Sequence, residues 1–394
     1  MTQTATPSKS GRLLALDILR GITIAGMILV NNPGSWGSIY APLRHAEWNG
    51  LTPTDLVFPF FMFIMGVSTF FSLRKYDFSF TWPTLIKIIR RTIVIFAIGL
   101  GIAWFSIFLR GIVSEGPVLQ AIFDFSHIRI LGVMPRLAIC YCAASIIAIT
   151  LKHKYLPLFV VSLLVLYTII LLTGNGFEFA DSNVISIVDH KILGPNHMYA
   201  DTIDGVRLKF DPEGLLSTLP SIAHVLIGFW MGMLLTGTKD NNLRINYLFI
   251  AGTILTFSGF LLDFGLPINK KIWSPTFVLT TCGLASSFLG LLIWIIDIKG
   301  YKKWCRFFEV FGINPLFMYV LGAVLSILIG FIKVPSSSTE SGMISLKGAV
   351  YTDFLVPLCQ GNATLASLIF AILFVCLNWC VGYVLYKKKI YIKI

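Results

Sequence analysis

LVFPFFMFIMGVSTFFSL, residues 56–73, carries no charged side chain. As a helix rising 1.5 Å per residue it is about 27 Å long, close to the roughly 30 Å hydrocarbon core of a bilayer. A first apolar run, Leu13 to Val30, precedes it, and similar runs recur to the end of the chain. Stretches of the right length predict about ten spans: 13–33, 55–73, 84–109, 130–151, 155–173, 216–236, 244–263, 275–297, 307–332 and 363–386. The stretch 348–359 is apolar but short, which suits an interfacial or re-entrant piece. Composition agrees, since 56% of the 394 residues are hydrophobic and only 13% are charged, more apolar than a soluble core requires. The expected fold is all-α, a polytopic membrane bundle forming one domain over residues 1–394.

The net charge of +12 would suggest nucleic acid in a soluble protein. In a membrane protein, lysine and arginine collect on the cytoplasmic side. With the N-terminus inside, 20 of the 31 basic residues fall on inner segments. Both termini are therefore expected in the cytoplasm, with the longest loop, about 174–215, outside. That loop is too short and too lightly apolar for a domain of its own. Membrane lipids, not nucleic acid, are the expected partners of the basic surface. Lys9 and Arg12 precede the first span as in a signal peptide, but Asp17 and Arg20 interrupt it and no small-residue cleavage site follows, so it reads as a retained helix. The seven cysteines fall mostly inside spans, are odd in number and form no C-x-x-C, which argues against a disulfide framework or a zinc site. H-E-x-x-H, Walker and G-x-S-x-G patterns are absent from the sequence, and no metal is expected.

Ionisable residues inside or at the edge of a membrane are functional candidates. The loop between the first two spans, RHAEWNGLTPTD (44–55), holds His45 with Trp48, Asn49 and Asp55, while Asn31 ends the first helix. An imidazole titrates near about 6.5, so His45 can accept a proton or attack an electrophile near neutral pH. From the pattern alone, an isolated loop histidine is more often a surface group. Asn31 can donate to a developing oxyanion, and Asp55, after Thr52-Pro53-Thr54, also suits a helix cap. Asp17 and Arg20, three apart, read either as a structural ion pair or as an opening for a cytoplasmic anion. Lys87, Arg90 and Arg91 suit anionic lipid headgroups or a phosphorylated cofactor. His224, inside the sixth span, reads as a hydrogen-bonded bundle residue.

Several segments resemble the transmembrane heparan-α-glucosaminide N-acetyltransferase family and its bacterial relatives. They are LDILRGI (16–22), RHAEWNGLT (44–52) running into DLVFP (55–59) and FIMG (63–66), GVMPRL (132–137), DPEGLLST (211–218), INKKIWS (268–274) and GINP (312–315). They keep the same order over most of the chain, and the block from His45 to Pro59 is the most specific. The resemblance implies transfer of an acetyl group from cytosolic acetyl-CoA to a glucosamine amino group across the membrane. It places the catalytic histidine on His45 and the helix-end asparagine on Asn31, with Asp55 beside them. Arg20, Lys87, Arg90 and Arg91 are then the expected phosphate contacts of acetyl-CoA, and Trp48, Asn49, Asp263, Asn269, Lys270 and Asn314 the groups that orient the sugar. Without the long lumenal region of the animal enzyme, a free or short amino sugar is expected as acceptor. Compact length and the lack of a targeting segment point to a bacterial inner membrane, and a homodimer is compatible with this reading. An amino-sugar transporter and an O-acetyltransferase of an envelope polysaccharide are the rival readings.

Overall fold

A computed structural model describes residues 13–113, 122–340 and 342–392. Helices dominate: α1 Leu14–Val30, α2 Val57–Leu73, α3 Trp82–Val113, α4 Val133–Thr150, α5 Leu156–Thr173, α6 Val184–Leu193, α7 Thr218–Thr236, α8 Asn241–Asp263, α9 Pro275–Ile293, α10 Cys305–Ile313, α11 Pro315–Phe331 and α12 Ala363–Lys387. Among the described residues, strand is confined to two antiparallel hairpins, β1 Ala200–Ile203 with β2 Val206–Lys209 and β3 Lys333–Pro335 with β4 Met343–Ser345.

The protein is an all-α polytopic membrane bundle. Among the described residues, eight helices are long and apolar enough to cross a membrane, and α10 with α11 makes a ninth candidate as a bent pair. The remaining predicted span is α1, whose 17 residues extend about 25 Å. The predicted span 307–332 needs correction: it is two helices meeting at 87°. The break falls at Asn314 (φ −121°, ψ 58°) because Pro315 has no N–H to extend the preceding helix and disfavours helical geometry in the residue before it. The stretch around 348–359 forms a short helical piece, 346–358, whose middle, Ala349–Leu355, is a π turn.

Burial is uneven in the way a bilayer demands. Ala15, Ile18, Leu19, Met62, Phe63, Val67, Ala223, Val225 and Leu226 are fully enclosed, whereas Ile93 on α3, Val161 on α5 and Leu261 on α8 point outward. Apolar side chains on an outer face cost nothing against lipid, and that face need not be polar as in a soluble helix. Helix approach at the centre depends on glycine. A Cβ on Gly66 would run into Val225 O, and one on Gly228 into Phe63 O, so α2 and α7 touch backbone to backbone. His224 Nε2 donates to Pro59 O at 2.9 Å, and Gly232 abuts Phe70. The pairs 59–224, 63–228 and 70–232 rise together, so α2 and α7 run parallel and begin at the same end of the bundle.

The long connection before α7 is folded, not slack. Asn183 caps α6 by accepting from Ile185 N at 2.9 Å, and Asp204-Gly205, both at positive φ, turns the β1–β2 hairpin. Tyr167, Leu171, Ile185, Phe210 and Ile272 form a small core beneath it.

Candidate active site

The end of the bundle where α1 stops and α2 begins gathers three titratable side chains from two loops. Thr52, Pro53 and Asp55 start the 3-10 turn Pro53–Leu56 that leads into α2, with Thr52 and Asp55 closing a capping box. Asp55 is fully buried. Its Oδ2 accepts from Ala46 N at 3.0 Å and Thr52 N at 3.1 Å. Its Oδ1 faces His45 Nδ1 at 2.7 Å and Lys270 Nζ at 3.2 Å. The two loops are tied together at Gly50, whose N–H donates to Ile268 O at 2.7 Å, and at Asn49, whose Oδ1 accepts from Asn269 Nδ2 at 3.1 Å. Gly50 holds φ +112°, a conformation open to glycine and costly for other residues.

His45 Nδ1 lies near both an anion and a cation, since Lys270 Nζ is 3.0 Å away. One nitrogen cannot both donate to Asp55 and accept from Lys270. With Asp55 ionised, the consistent arrangement has Nδ1–H donating to Oδ1 and the ammonium pairing with the same oxygen. Nε2 then carries the lone pair. It has no partner among the described residues, and the side chain is 40% exposed. A histidine oriented by a buried carboxylate, with its other nitrogen free, is equipped to take a proton or attack a carbonyl carbon. Burial pushes the Lys270 ammonium below its usual range, against the charges of Asp55 and Glu213, which favour it.

The turn that presents Lys270 is rigid. Asn269, fully buried, accepts from Ile272 N at 3.1 Å through Oδ1, while its own N–H donates to Ser274 Oγ at 2.9 Å. Trp273 adopts φ 53°, which costs a non-glycine residue roughly 1–2 kcal/mol. Packing holds it there: the ring is buried against Phe58, Phe277 and His224, and the Arg136 guanidinium lies 5.3 Å from its centroid. Arg136 is itself fully buried and donates to Gly214 O and Ser217 Oγ.

The structure thus brings His45, Asp55, Lys270, Asn49 and Asn269 together. Other predicted residues lie elsewhere. Trp48 belongs to the core under the connection before α7, with Nε1 donating to Phe177 O at 2.7 Å and the ring against Phe179 and Phe210. Asp263 closes its own turn by accepting from Ile268 N at 2.6 Å. Asn31 lines a cavity of about 240 Å³ between α1 and α11, with Asn32, Tyr319 and Ser326. Asn314, expected among the sugar contacts, lies away from the His45 cluster. It holds the C-terminal segment, donating to Ile390 O and accepting from Ile392 N, both at 2.9 Å. That is the other end of the bundle, because α12 begins beside the end of α1, through Gly34 and Ser367, and Asn314 meets the residues after α12.

Arg20 is ten residues before the end of α1, about 15 Å along its axis. It donates to Asp17 Oδ1 at 3.1 Å and Ser68 Oγ at 2.8 Å, an arrangement of the ion-pair kind. Lys87, Arg90 and Arg91 do not converge. Lys87 donates to Tyr76 OH at 2.9 Å, Arg91 stacks 4.7 Å from the Tyr141 ring centroid, and Arg90 lies in an apolar groove with Trp82, Ile86 and Ile93. The bundle also organises charges the sequence reading did not single out, namely Arg129, Arg136, Asp189, Asp211 and Glu213. The DPEG run at 211–214 was the available signal, because it sets two carboxylates at the entry to a spanning helix, where ionisable groups are functional candidates.

No family model matches the chain. It is 28% identical over 439 aligned positions to a heparan-alpha-glucosaminide N-acetyltransferase of Mus musculus, covering 98% of this chain and 61% of the relative. It is 28% identical over 367 positions to the protein of the same name from Homo sapiens, covering 78% of this chain and 52% of that relative. The chain therefore spans between half and two thirds of the length of these curated relatives.

Proposed function

We propose that this chain, a distant relative of the heparan-alpha-glucosaminide N-acetyltransferases, is a transmembrane acetyltransferase that moves an acetyl group from acetyl-CoA to the amino group of glucosamine or a glucosamine-containing saccharide. The observation that carries the proposal is the His45–Asp55–Lys270 cluster with an unpartnered Nε2. It lies at the end of the bundle that the lysine and arginine distribution assigns to the outer side.

In this reading acetyl-CoA approaches from the inner face, and its thioester reaches the His45 end through the bundle. The acceptor arrives as an ammonium ion. His45 Nε2 takes one proton, the free amine adds to the thioester carbonyl carbon, and the C–S bond breaks. The thiolate then takes up a proton, so that CoA leaves as the thiol and the N-acetyl sugar forms with net release of one proton. Asp55 keeps Nδ1 as the donor and stabilises the imidazolium. A covalent variant begins at the same atom: Nε2 attacks the thioester, CoA leaves, and the amine takes the acetyl group from the imidazole. Asn31, lining the cavity beside α11, is the proposed donor to the carbonyl oxygen. Arg20, Lys87, Arg90 and Arg91 remain the proposed contacts for the phosphates, with Arg20 having to exchange its present partners.

The test is purified protein in detergent with acetyl-CoA and glucosamine, reading N-acetylglucosamine and free CoA by mass spectrometry. Product that depends on both substrates is expected. His45→Ala should lower turnover by about 10²–10⁴-fold; wild-type turnover in that variant would overturn the role of His45. Incubation with labelled acetyl-CoA alone, followed by denaturation, separates the routes, because only the covalent one leaves label on the protein.

A further inference from the structure

The connection before α7 holds a carboxylate that the proton chemistry of His45 does not use. Arg129 donates from Nε to Asp211 Oδ2 at 2.9 Å and from Nη2 to Asp211 Oδ1, a bidentate pair. Asp211 is fully buried and also accepts from Tyr199 N at 3.1 Å and Glu213 N at 3.0 Å. Arg129 is thus already matched in charge and geometry. Glu213 nevertheless adds a second carboxylate to it, through Oε2 on Nη2.

The other oxygen, Oε1, accepts no hydrogen bond among the described residues and is not sealed from solvent. This sets Glu213 apart from Asp55 and Asp211, whose oxygens are both taken. Its position is informative too. It lies five residues before α7 (Thr218), at the same end of the bundle as Asp55, because α2 and α7 are parallel. The next residue, Gly214, accepts from Arg136, whose guanidinium lies 5.3 Å from the ring centroid of Trp273 in the turn that presents Lys270. A half-satisfied carboxylate held on an arginine, at the same end of the bundle as the His45 cluster, is built to receive a donor from a ligand.

Resting on the acetyl-transfer reading above, we infer that Glu213 is a specificity-determining residue that accepts a hydrogen bond from a ring hydroxyl of the acceptor sugar through Oε1, while the sugar's amine faces His45 Nε2. Arg129 and Asp211 are positioning residues for it. The sugar is then read at two points, nitrogen by the histidine and hydroxyl by the carboxylate, which distinguishes an amino sugar from a simple amine.

The experiment compares wild type with Glu213→Gln, which keeps an oxygen for Arg129 and loses the charge. Acceptors are glucosamine, a set of its mono-deoxy analogues, and a small amine without hydroxyls. A hydrogen bond to a charged group contributes enough for an expected loss in kcat/KM of about 10–100-fold for one deoxy analogue with wild type. In Glu213→Gln, glucosamine should fall to the level of that analogue. Removing the hydroxyl should then cost little more, while the simple amine and the KM for acetyl-CoA stay unchanged. A variant that discriminates among the analogues as wild type does overturns the inference, and so does a uniform loss over all acceptors with a lowered thermal midpoint, which marks Glu213 as structural. Glucosamine binding measured without acetyl-CoA separates the two levels. Binding that weakens in Glu213→Gln with no product from wild type keeps the sugar contact and overturns the reaction. Turnover by wild type with unaltered binding in the variant keeps the reaction and overturns the contact.

Discussion

His45 and Asp55 are ten residues apart in the chain, and their Nδ1 and Oδ1 atoms are 2.7 Å apart across the loop that joins α1 to α2. The carboxylate that starts the second helix is therefore also the one that orients the histidine. The same geometry serves helix stability and the reactivity of Nε2.

Asp55→Asn tests that double use. An amide in place of the carboxylate removes the negative charge and one of the two acceptor oxygens that serve His45 and the Ala46 and Thr52 N–H groups, and it leaves Lys270 without its nearest counter-ion. Acetyl transfer should fall by about 10²–10⁴-fold, and the thermal midpoint in detergent should fall as well. Asp55→Glu, which keeps the charge but lengthens the arm, should recover more stability than activity. Full activity in Asp55→Asn would remove the carboxylate from the mechanism.

A second prediction concerns pH. Burial pushes the Asp189 carboxyl up to about 7, with the neighbouring Asp211 charge adding to the rise and the Leu215 N–H bond to Oδ1 opposing it. An acid whose folded pKa exceeds its unfolded value of about 3.9 binds more protons when folded. Its contribution is complete below about pH 4 and is lost as pH rises through 7. Asp189→Asn keeps an oxygen for Leu215 N and cannot ionise. Thermal midpoints measured from pH 5 to pH 8 should decline less in Asp189→Asn than in wild type; parallel curves would show that the group does not titrate in this range.

Helix content was legible in the sequence because a spanning segment must be long, apolar and internally hydrogen-bonded, and all three leave a linear signature. The pairing of His45 with Asp55 was half legible: a capping pattern marked Asp55, but its second task depends on the loop folding back. The cluster with Lys270 was not, since 225 residues separate Lys270 from His45 and only the crossing of helices brings the loops together. Asn314 lies apart from this cluster for a related reason. A polar residue before proline reads as a site feature from its chemistry, and which end of a bundle it occupies is a property of the whole path.

Trp273 offers a test of stored strain. Trp273→Gly relieves the left-handed backbone but empties a large buried volume, and loss of a core aromatic costs about 3–5 kcal/mol. The cavity term exceeds the roughly 1–2 kcal/mol of relieved strain. Trp273→Gly should therefore unfold at lower temperature, and Trp273→Phe should lie between it and wild type. A more stable glycine variant would mean that the ring is poorly packed.

The glycine contact can be checked directly. Gly66→Ala and Gly228→Ala each place a methyl group against the backbone of the facing helix, and overpacking of this kind costs about 1–3 kcal/mol. Each variant should lower the thermal midpoint, and the double variant should lower it by less than the sum, because the first already separates the helices. Strict additivity would mean that the two glycines do not share one crossing.

That crossing lies midway along both α2 and α7, far from any loop. Since the two helices are parallel and fused at their centres, a change in bilayer thickness tilts them as a single strut. The His45 and Glu213 segments at their common end ride with it and keep their separation. The α10 arm of the elbow is joined to α1 in the same way, since a Cβ on Gly21 would meet Phe308 O and one on Gly312 would meet Asp17 O. The spacing of the loops at the common end of α2 and α7 should therefore be insensitive to membrane thickness.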